Sequence, residues 1–245
     1  MLVKDIYNHL NSISPFELQE SWDNSGLIVG DMTDSFKRIY ISLDLDINIV
    51  DKLKPNSLVI THHPLIFKGV KTINNQQYST KLLQKLIKKD IKLISMHTNI
   101  DKTHLNMFVG NEILGLDFHQ VSDFVVEAKV DMSLDNLQKL IKEKLGIKYL
   151  KTVPSHKHIK SISLTTGAGA SLLPYIKSDC FLTGDIKYHE AMEAKTLGVT
   201  LIDINHYESE QFFTKLLYKL LKPYIKEHKL KVELLQSINP FEIKK

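Results

Sequence analysis

The sequence predicts an α/β fold of two pseudo-repeated α/β units with mainly parallel sheets and a dinuclear metal site between them. Three observations carry this expectation. Apolar strand-like runs alternate with amphipathic helical segments, the pattern of layered α/β proteins. The same series of elements is written twice along the 245 residues. Finally, polar residues with metal-binding chemistry stand at the ends of four strand-like runs: Thr61-His62-His63-Pro64, His97-x-x-x-Asp101, Gly184-Asp185-x-x-x-His189 and His206-x-x-x-Glu210. In open α/β sheets, ligands bind at the edge where strands end.

In the first half, residues 3–13 read as a helix, and the loop Trp22-Asp23-Asn24-Ser25-Gly26 leads into a short strand at 27–29. Residues 39–43 read as a strand, 46–54 as a helix, and 57–61 as a second strand ending at His62-His63. A long connection, 64–77, precedes a helix at 79–89, a strand at 91–96, the His97–Asp101 motif and an apolar helical pattern at 105–114. The second half repeats this order. It has a helix at 134–145, a strand at 161–165, a helix at 168–177 and a strand at 179–183 ending at Gly184-Asp185. A helix at 189–197, a strand at 199–204, the His206–Glu210 motif and a helical pattern at 212–221 follow.

Residues 117–131 and 143–160, the latter with Pro154, read as joins, and 238–245 as a partly ordered tail. The halves are then 1–125 and 126–245, together one domain. A His-x3-acid pair at matched places in both halves points to a pseudo-twofold with the site between the halves.

Bulk composition sets the class. Hydrophobic residues make up 43% and charged residues 24%, as in ordinary soluble globular proteins. Cys180 is the single cysteine, so no internal disulfide forms and a reducing compartment is expected. The N-terminus lacks the apolar core of a signal peptide, and no apolar run approaches the ~20 residues of a membrane span. A cytoplasmic, non-membrane protein is the expectation. The net charge is +4, but of 32 basic residues only Arg38 is an arginine. Base readout and bidentate phosphate contacts favour arginine, so the excess reads as solvated lysine surface rather than a nucleic-acid face.

Neutral imidazoles and carboxylates together suit zinc, manganese or iron. Carboxylates at three of the four motifs supply charge for more than one cation, so two divalent ions per chain are expected. Adjacent residues of a regular strand point to opposite faces. Pro64 ends regular structure and biases His63 toward an extended conformation, which lets His62 and His63 fan out over two neighbouring ions. His206 and Glu210 share one helical face, and the two oxygens of Glu210 suit a bridge. His97 is a ligand, a general base, or the imidazole that orients Asp101.

Asp185 and His189 repeat the i, i+4 spacing and suit positioning a water or donating to a substrate oxygen; Asp185 is equally well placed as a helix N-cap. With His97 they form the candidate catalytic set. Gly167-Ala168-Gly169 reads either as a phosphate-cradling turn or as a plain strand-to-helix turn. Trp22, the sole tryptophan, reads as the lining of a base pocket or as a structural anchor. Residues 212–221 are apolar over a wide arc, including Phe212, Phe213, Leu216, Leu217, Tyr218, Leu220 and Leu221. Such an arc is usually buried on more than one side, either against a second copy in a closed homo-oligomer or wholly within one chain.

Five ordered motifs, Trp22-Asp-Asn-Ser-Gly-Leu27, Ile60-Thr-His-His-Pro64, His97-Thr-Asn-Ile-Asp101, Leu182-Thr-Gly-Asp185 with His189, and Asn205-His-Tyr-Glu-Ser-Glu210, run along essentially the whole chain. They resemble the Ngg1-interacting-factor-3-like family, whose members are widely labelled GTP cyclohydrolase 1 type 2 homologues. The resemblance implies a dinuclear centre with His63 and Asp101 on one ion, His62 and His206 on the other, and Glu210 bridging. It also implies a toroidal homohexamer. The chain looks like the short form, without the domain that longer members insert at mid-chain, and it carries Asn205 where many members have Gly.

The function expected from these residues and this resemblance is that of a metal-dependent hydrolase of the cyclohydrolase-homologue type. It would act on a small, nucleotide-like substrate through a metal-activated water. Phosphoester hydrolysis would use the same parts. A non-catalytic metal-binding scaffold, or a metal-handling or partner-binding protein, would use the same ligands.

Overall fold

The computed structural model describes residues 1–242. The chain forms two compact units, one comprising Met1–Ile100 and the segment from Phe213 onward, the other Asp101–Phe212. Each is a mixed α/β layer structure around its own sheet, and the central strand pairings of both sheets are parallel.

In the first unit the strands Ile39–Ser42, Ser57–Thr61 and Ile91–Ser95 lie side by side in chain order, all parallel. Every residue of the three is buried, which is why they read as continuous apolar runs rather than alternating ones. Gly26–Val29 pairs antiparallel with the outer edge of Ile91–Ser95, and Val232–Leu234 pairs parallel with Ile39–Ser42. The crossover helices are Ile47–Lys52 and Tyr78–Lys88. Asp46 starts the first by accepting the Ile49 N–H at 2.7 Å. Val50, Leu82 and Leu86 of these helices, with Leu53 just past the first, meet Val59 and Leu93 of the sheet in one core. Val3, Ile6 and Leu10 form the buried stripe of the opening helix, Val3–Ile13, and Phe213, Leu216, Leu217 and Leu221 that of Phe213–Glu227. On the latter helix Tyr218 stays exposed.

The second unit repeats this plan. His158–Leu164, Cys180–Thr183 and Thr200–Asp203 form a parallel trio in chain order, and Lys151–Val153 folds back antiparallel onto the third strand. Gly26–Val29 does the same in the first unit. The opposite edge differs: Val126–Ser133 pairs antiparallel with His158–Leu164, and Phe118–Gln120 lies beyond it.

Several expectations are corrected. The joins at 117–131 and 143–160 contain strands. Val126 and Ala128 are buried while Lys129 is exposed, a period-two alternation characteristic of a half-buried strand. Lys151–Val153 is too short to carry a pattern of its own and owes its conformation to pairing with Thr200–Asp203. The helix expected at 168–177 is a 3-10 segment, Ala170–Tyr175, with Pro174 inside it; proline removes a donor that a longer α-helix would need. The helical pattern at 105–114 belongs to a run over 101–114. There, π-helical Asp101–Leu105 and Val109–Leu114 flank Asn106–Phe108, and the run ends at Gly115 in the left-handed conformation, φ 73°.

Of the tail, residues 243–245 lie outside the described residues; 238–242 adopt no helix or strand. No helix among the described residues is long and apolar enough to cross a membrane. Cys180 is fully buried in the second sheet, and burial, helped by Asp179, pushes its thiol pKa up, the mark of an inert structural cysteine.

Candidate functional site

In the first unit the imidazoles of His62, His63 and His97 converge at the carboxyl ends of adjacent parallel strands. Their ligand nitrogens lie within 4.8 Å of one another, and the His62 ring centroid is 4.8 Å from that of His63 and 5.1 Å from that of His97. The pair leaves the strand together: the backbone N–H groups of both His62 and His63 donate to the Leu43 carbonyl at 3.2 Å. Strand alternation no longer applies at that point, so two consecutive side chains serve one cluster.

Each ring is held at Nδ1 by an oxygen. His62 Nδ1 lies 2.8 Å from the Met96 carbonyl, which only accepts, so Nδ1 carries the proton. His63 Nδ1 lies 2.7 Å from an Asp44 carboxylate oxygen, and His97 Nδ1 lies 2.7 Å from Asp23. This arrangement fixes tautomer and orientation and makes Nε2 the atom able to coordinate a metal. Asp23 is completely buried on its side chain. Burial alone would raise its pKa, but the hydrogen bond and charge of His97, with the Thr98 hydroxyl and the Asn24 N–H, outweigh it and hold the carboxyl well below the usual range. Ser25 Oγ also donates to Asp23 at 3.0 Å and accepts the His97 N–H at 3.1 Å.

The second unit brings together Asp101, His206 and Glu210. The ligand oxygen of Glu210 lies within 4.8 Å of that of Asp101, and its Oε2 is 3.0 Å from His206 Nε2. His206 Nδ1 is 2.6 Å from Asp185 Oδ2, the same device as in the first unit. An imidazole between two carboxylates needs a proton or a cation on one side. Glu210 is buried, whereas Asp185 is half exposed.

A web of hydrogen bonds sets these groups. Ser209 Oγ accepts the Gly167 N–H at 3.0 Å and donates to the His206 carbonyl at 2.8 Å. Asn106 accepts the Thr166 N–H at 2.8 Å and donates to the Asp101 carbonyl at 3.2 Å, tying the Asp101 helix to the turn behind Glu210.

Gly167 packs directly against this cluster. It has φ 63°, and a Cβ there would fall 2.1 Å from Glu210 Oε1 and 3.4 Å from His206 Nε2. Gly167-Ala168-Gly169 is therefore a close-approach turn beneath a carboxylate. Asn205, just before His206, has φ 57° and ψ 152°, a region open essentially to glycine alone, and its N–H donates to Asp203 at 3.0 Å. That backbone explains why glycine suits this position.

Asp185 and His189 lie around the start of the helix that follows Cys180–Thr183. The helix Tyr188–Leu197 has Lys187, not Asp185, as its N-cap, with Glu190 accepting the Lys187 N–H at 2.8 Å. Asp185 instead orients His206. His189 is exposed on the first turn of that helix, its ring 5.3 Å from Tyr188.

Sequence reasoning passed over Asp44, although it sits just past the strand Ile39–Ser42, where the other motifs were found. In that reasoning Asp23 is named only as part of the Trp22 loop, because nothing local links it to His97 across 74 residues.

A family model for Duf34/NIF3 (NGG1p interacting factor 3) matches residues 1–240. The chain belongs to the Duf34/NIF3 family. A Campylobacter jejuni relative named GTP cyclohydrolase 1 type 2 homolog is 43% identical over 243 residues, covering 99% of each chain. A Helicobacter pylori relative named GTP cyclohydrolase 1 type 2 is 44% identical over 90% of this chain and 91% of its own. Among solved structures, a hypothetical protein of Staphylococcus aureus matches with a TM-score of 0.88 at 30% identity, covering 100% of this chain and 99% of that one. In this chain the fold carries histidine and carboxylate groups able to hold a metal ion.

Proposed function

We propose that the protein is a two-metal hydrolase acting on a small, nucleotide-like substrate, with His62, His63, Asp101, His206 and Glu210 as ligands. The observation that carries this reading is that His62, His63 and His206 are each held at Nδ1 by an oxygen acceptor, directing Nε2 toward coordination. Asp101 and Glu210 would add negative charge that partly offsets that of two divalent ions. Following the family resemblance, His63 and Asp101 would hold one ion and His62 and His206 the other, with Glu210 serving both. Zinc, manganese and iron all suit this donor set. Two such cations supply Lewis acidity and lower the pKa of a water.

The protein's own groups would manage the protons. Asp23 holds His97 with Nε2 as the acceptor and steadies the imidazolium that forms there, as the carboxylate of a catalytic triad does. His189, exposed on its helix, exchanges protons with solvent, and Asp185 keeps His206 in its ligating tautomer. The relatives' names point to a nucleotide substrate.

The test is turnover. His97→Ala and His189→Ala should retain metal yet lose about 10²–10⁴-fold in rate, the usual worth of general acid–base help. Metal-dependent release of formate from GTP supports the cyclohydrolase reading, and activity on phosphoesters alone reassigns the substrate class. A metal-loaded protein inert toward panels of both would sink the hydrolase reading in favour of a scaffold.

A homohexamer is part of the same proposal. Tyr218 remains exposed on a helix whose opposite stripe is buried, and closed symmetry is the default for soluble homo-oligomers. Light scattering at micromolar concentration should show a species well above one chain; a monodisperse 28.1 kDa particle would rule the ring out.

A further inference from the structure

Trp22 and Phe67 are large aromatic residues that the fold leaves in solvent, 56% and 43% exposed. A tryptophan acting as a structural anchor would be covered; this one is not. The two rings form a pair, with centroids 5.8 Å apart and planes tilted by 49°. Both stand edge-on to His97, at 6.3 Å and 77° for Trp22 and 6.2 Å and 79° for Phe67. His97 in turn lies 5.4 Å from His63 and 5.1 Å from His62. An exposed aromatic pair therefore borders the imidazole cluster within the first unit.

The pair is pre-positioned. Asn24, two residues from Trp22, donates to the carbonyl of Ile66, the neighbour of Phe67, at 2.5 Å. Asp23, between Trp22 and Asn24, is pinned by His97, Ser25 and Thr98. The Glu20 N–H donates to Thr98 Oγ1 at 3.0 Å. Both loops are thus tied down next to their aromatic residues while the rings themselves face water. Rings held in place before binding save the ordering cost of contact. Beyond Phe67 the connection carries Lys68 and Lys71, both exposed, which bring positive charge to the same rim.

We propose that Trp22 and Phe67 form a ring-stacking subsite for the planar heteroaromatic part of an anionic small molecule bound at the imidazole cluster. This deepens the reading of the centre as a nucleotide-directed hydrolase and rests on it. Every nucleobase presents a π-face, so stacking supplies affinity while the metal ligands and the lysines engage the polar remainder. Base–aromatic stacking is sequence-tolerant, so the subsite sets the class of substrate, a planar ring, rather than one base.

The sole tryptophan makes the test direct, because the intrinsic emission of the full-length, metal-loaded protein reports on Trp22 alone. Titration with GTP should quench that emission saturably, and inorganic triphosphate, which has no ring, should not. Phe67→Leu, and Trp22→Leu followed by calorimetry, should each weaken GTP binding about tenfold or more with metal content unchanged. The subsite is refuted if GTP leaves the emission unaltered, or if both variants bind GTP like the parent. It is also refuted if they lower the oligomeric state without touching GTP affinity, which would make this face a contact between copies. Failure of the hydrolase reading looks different: ring-dependent binding with intact metal but no turnover leaves the subsite standing.

Discussion

Glu210→Ala should lower the occupancy of both proposed metal ions together, whereas His206→Ala should mainly empty one. Glu210 is the buried carboxylate that approaches both Asp101 and His206 in the second unit, and it is proposed to bridge. Losing an outer-shell partner typically costs 10–100-fold in metal affinity, and losing the shared ligand should cost more than that at each ion. Turnover of any substrate should fall below detection. Elemental analysis after dialysis against a weak chelator reads this directly. A Glu210→Ala protein that keeps both metals at the parent's affinity would show the bridge to be misassigned.

Gly167→Ala should be nearly as damaging although it removes no ligand. The added methyl would fall 2.1 Å from Glu210 Oε1 in a residue whose φ is 63°. The left-handed backbone alone costs an alanine about 1–2 kcal/mol, and the clash pushes the Glu210 carboxylate aside. The expected result is a lower melting temperature combined with metal loss. By contrast Gly115→Ala, also at positive φ but with open space around its Cβ position, should lose stability alone. Thermal melts and metal content measured on both proteins separate strain from displacement; equal metal loss in the two would contradict the close-approach account.

The contrast between these glycines shows what the sequence makes legible. The strand ends bearing His62, His63, His97 and His206 could be read because buried parallel strands are unbroken apolar runs and the residues that stop them stand out. The repeated order of elements reappears as two parallel trios, each with a preceding strand folded back on its third member. Edge pairing was less readable. Lys151–Val153 is a strand only because Thr200–Asp203 offers it a ladder, and no three-residue segment advertises that. The Val126–Ser133 strand was there to be seen in its alternation of Val126, Ala128 and Val130 with charged residues, but its polar half resembled a linker.

At the site, residues able to hold a metal carry their chemistry in their identity, whereas residues that orient them do not. Asp23 and Asp44 are ordinary loop aspartates until the fold sets them against His97 and His63. Asn106 and Ser209 are ordinary helix residues until they are seen to fasten the turn beneath Glu210. Gly167 stood out as half of a G-x-G pair, but its close approach to Glu210 was in neither reading of that turn and belongs to the tertiary structure. Trp22 was visible as a single tryptophan beside a polar motif, but its exposure and its pairing with Phe67 belong to the tertiary structure.

The central claim is that this ligand set binds two cations, and anomalous scattering from crystals, recorded at the absorption edges of zinc, iron and manganese, tests it most directly. Two peaks per chain, separated by about 3.5–4 Å, are expected. His63 and Asp101 should contact one, His62 and His206 the other, and Glu210 both. A single peak, or two peaks with Glu210 on neither, would contradict it.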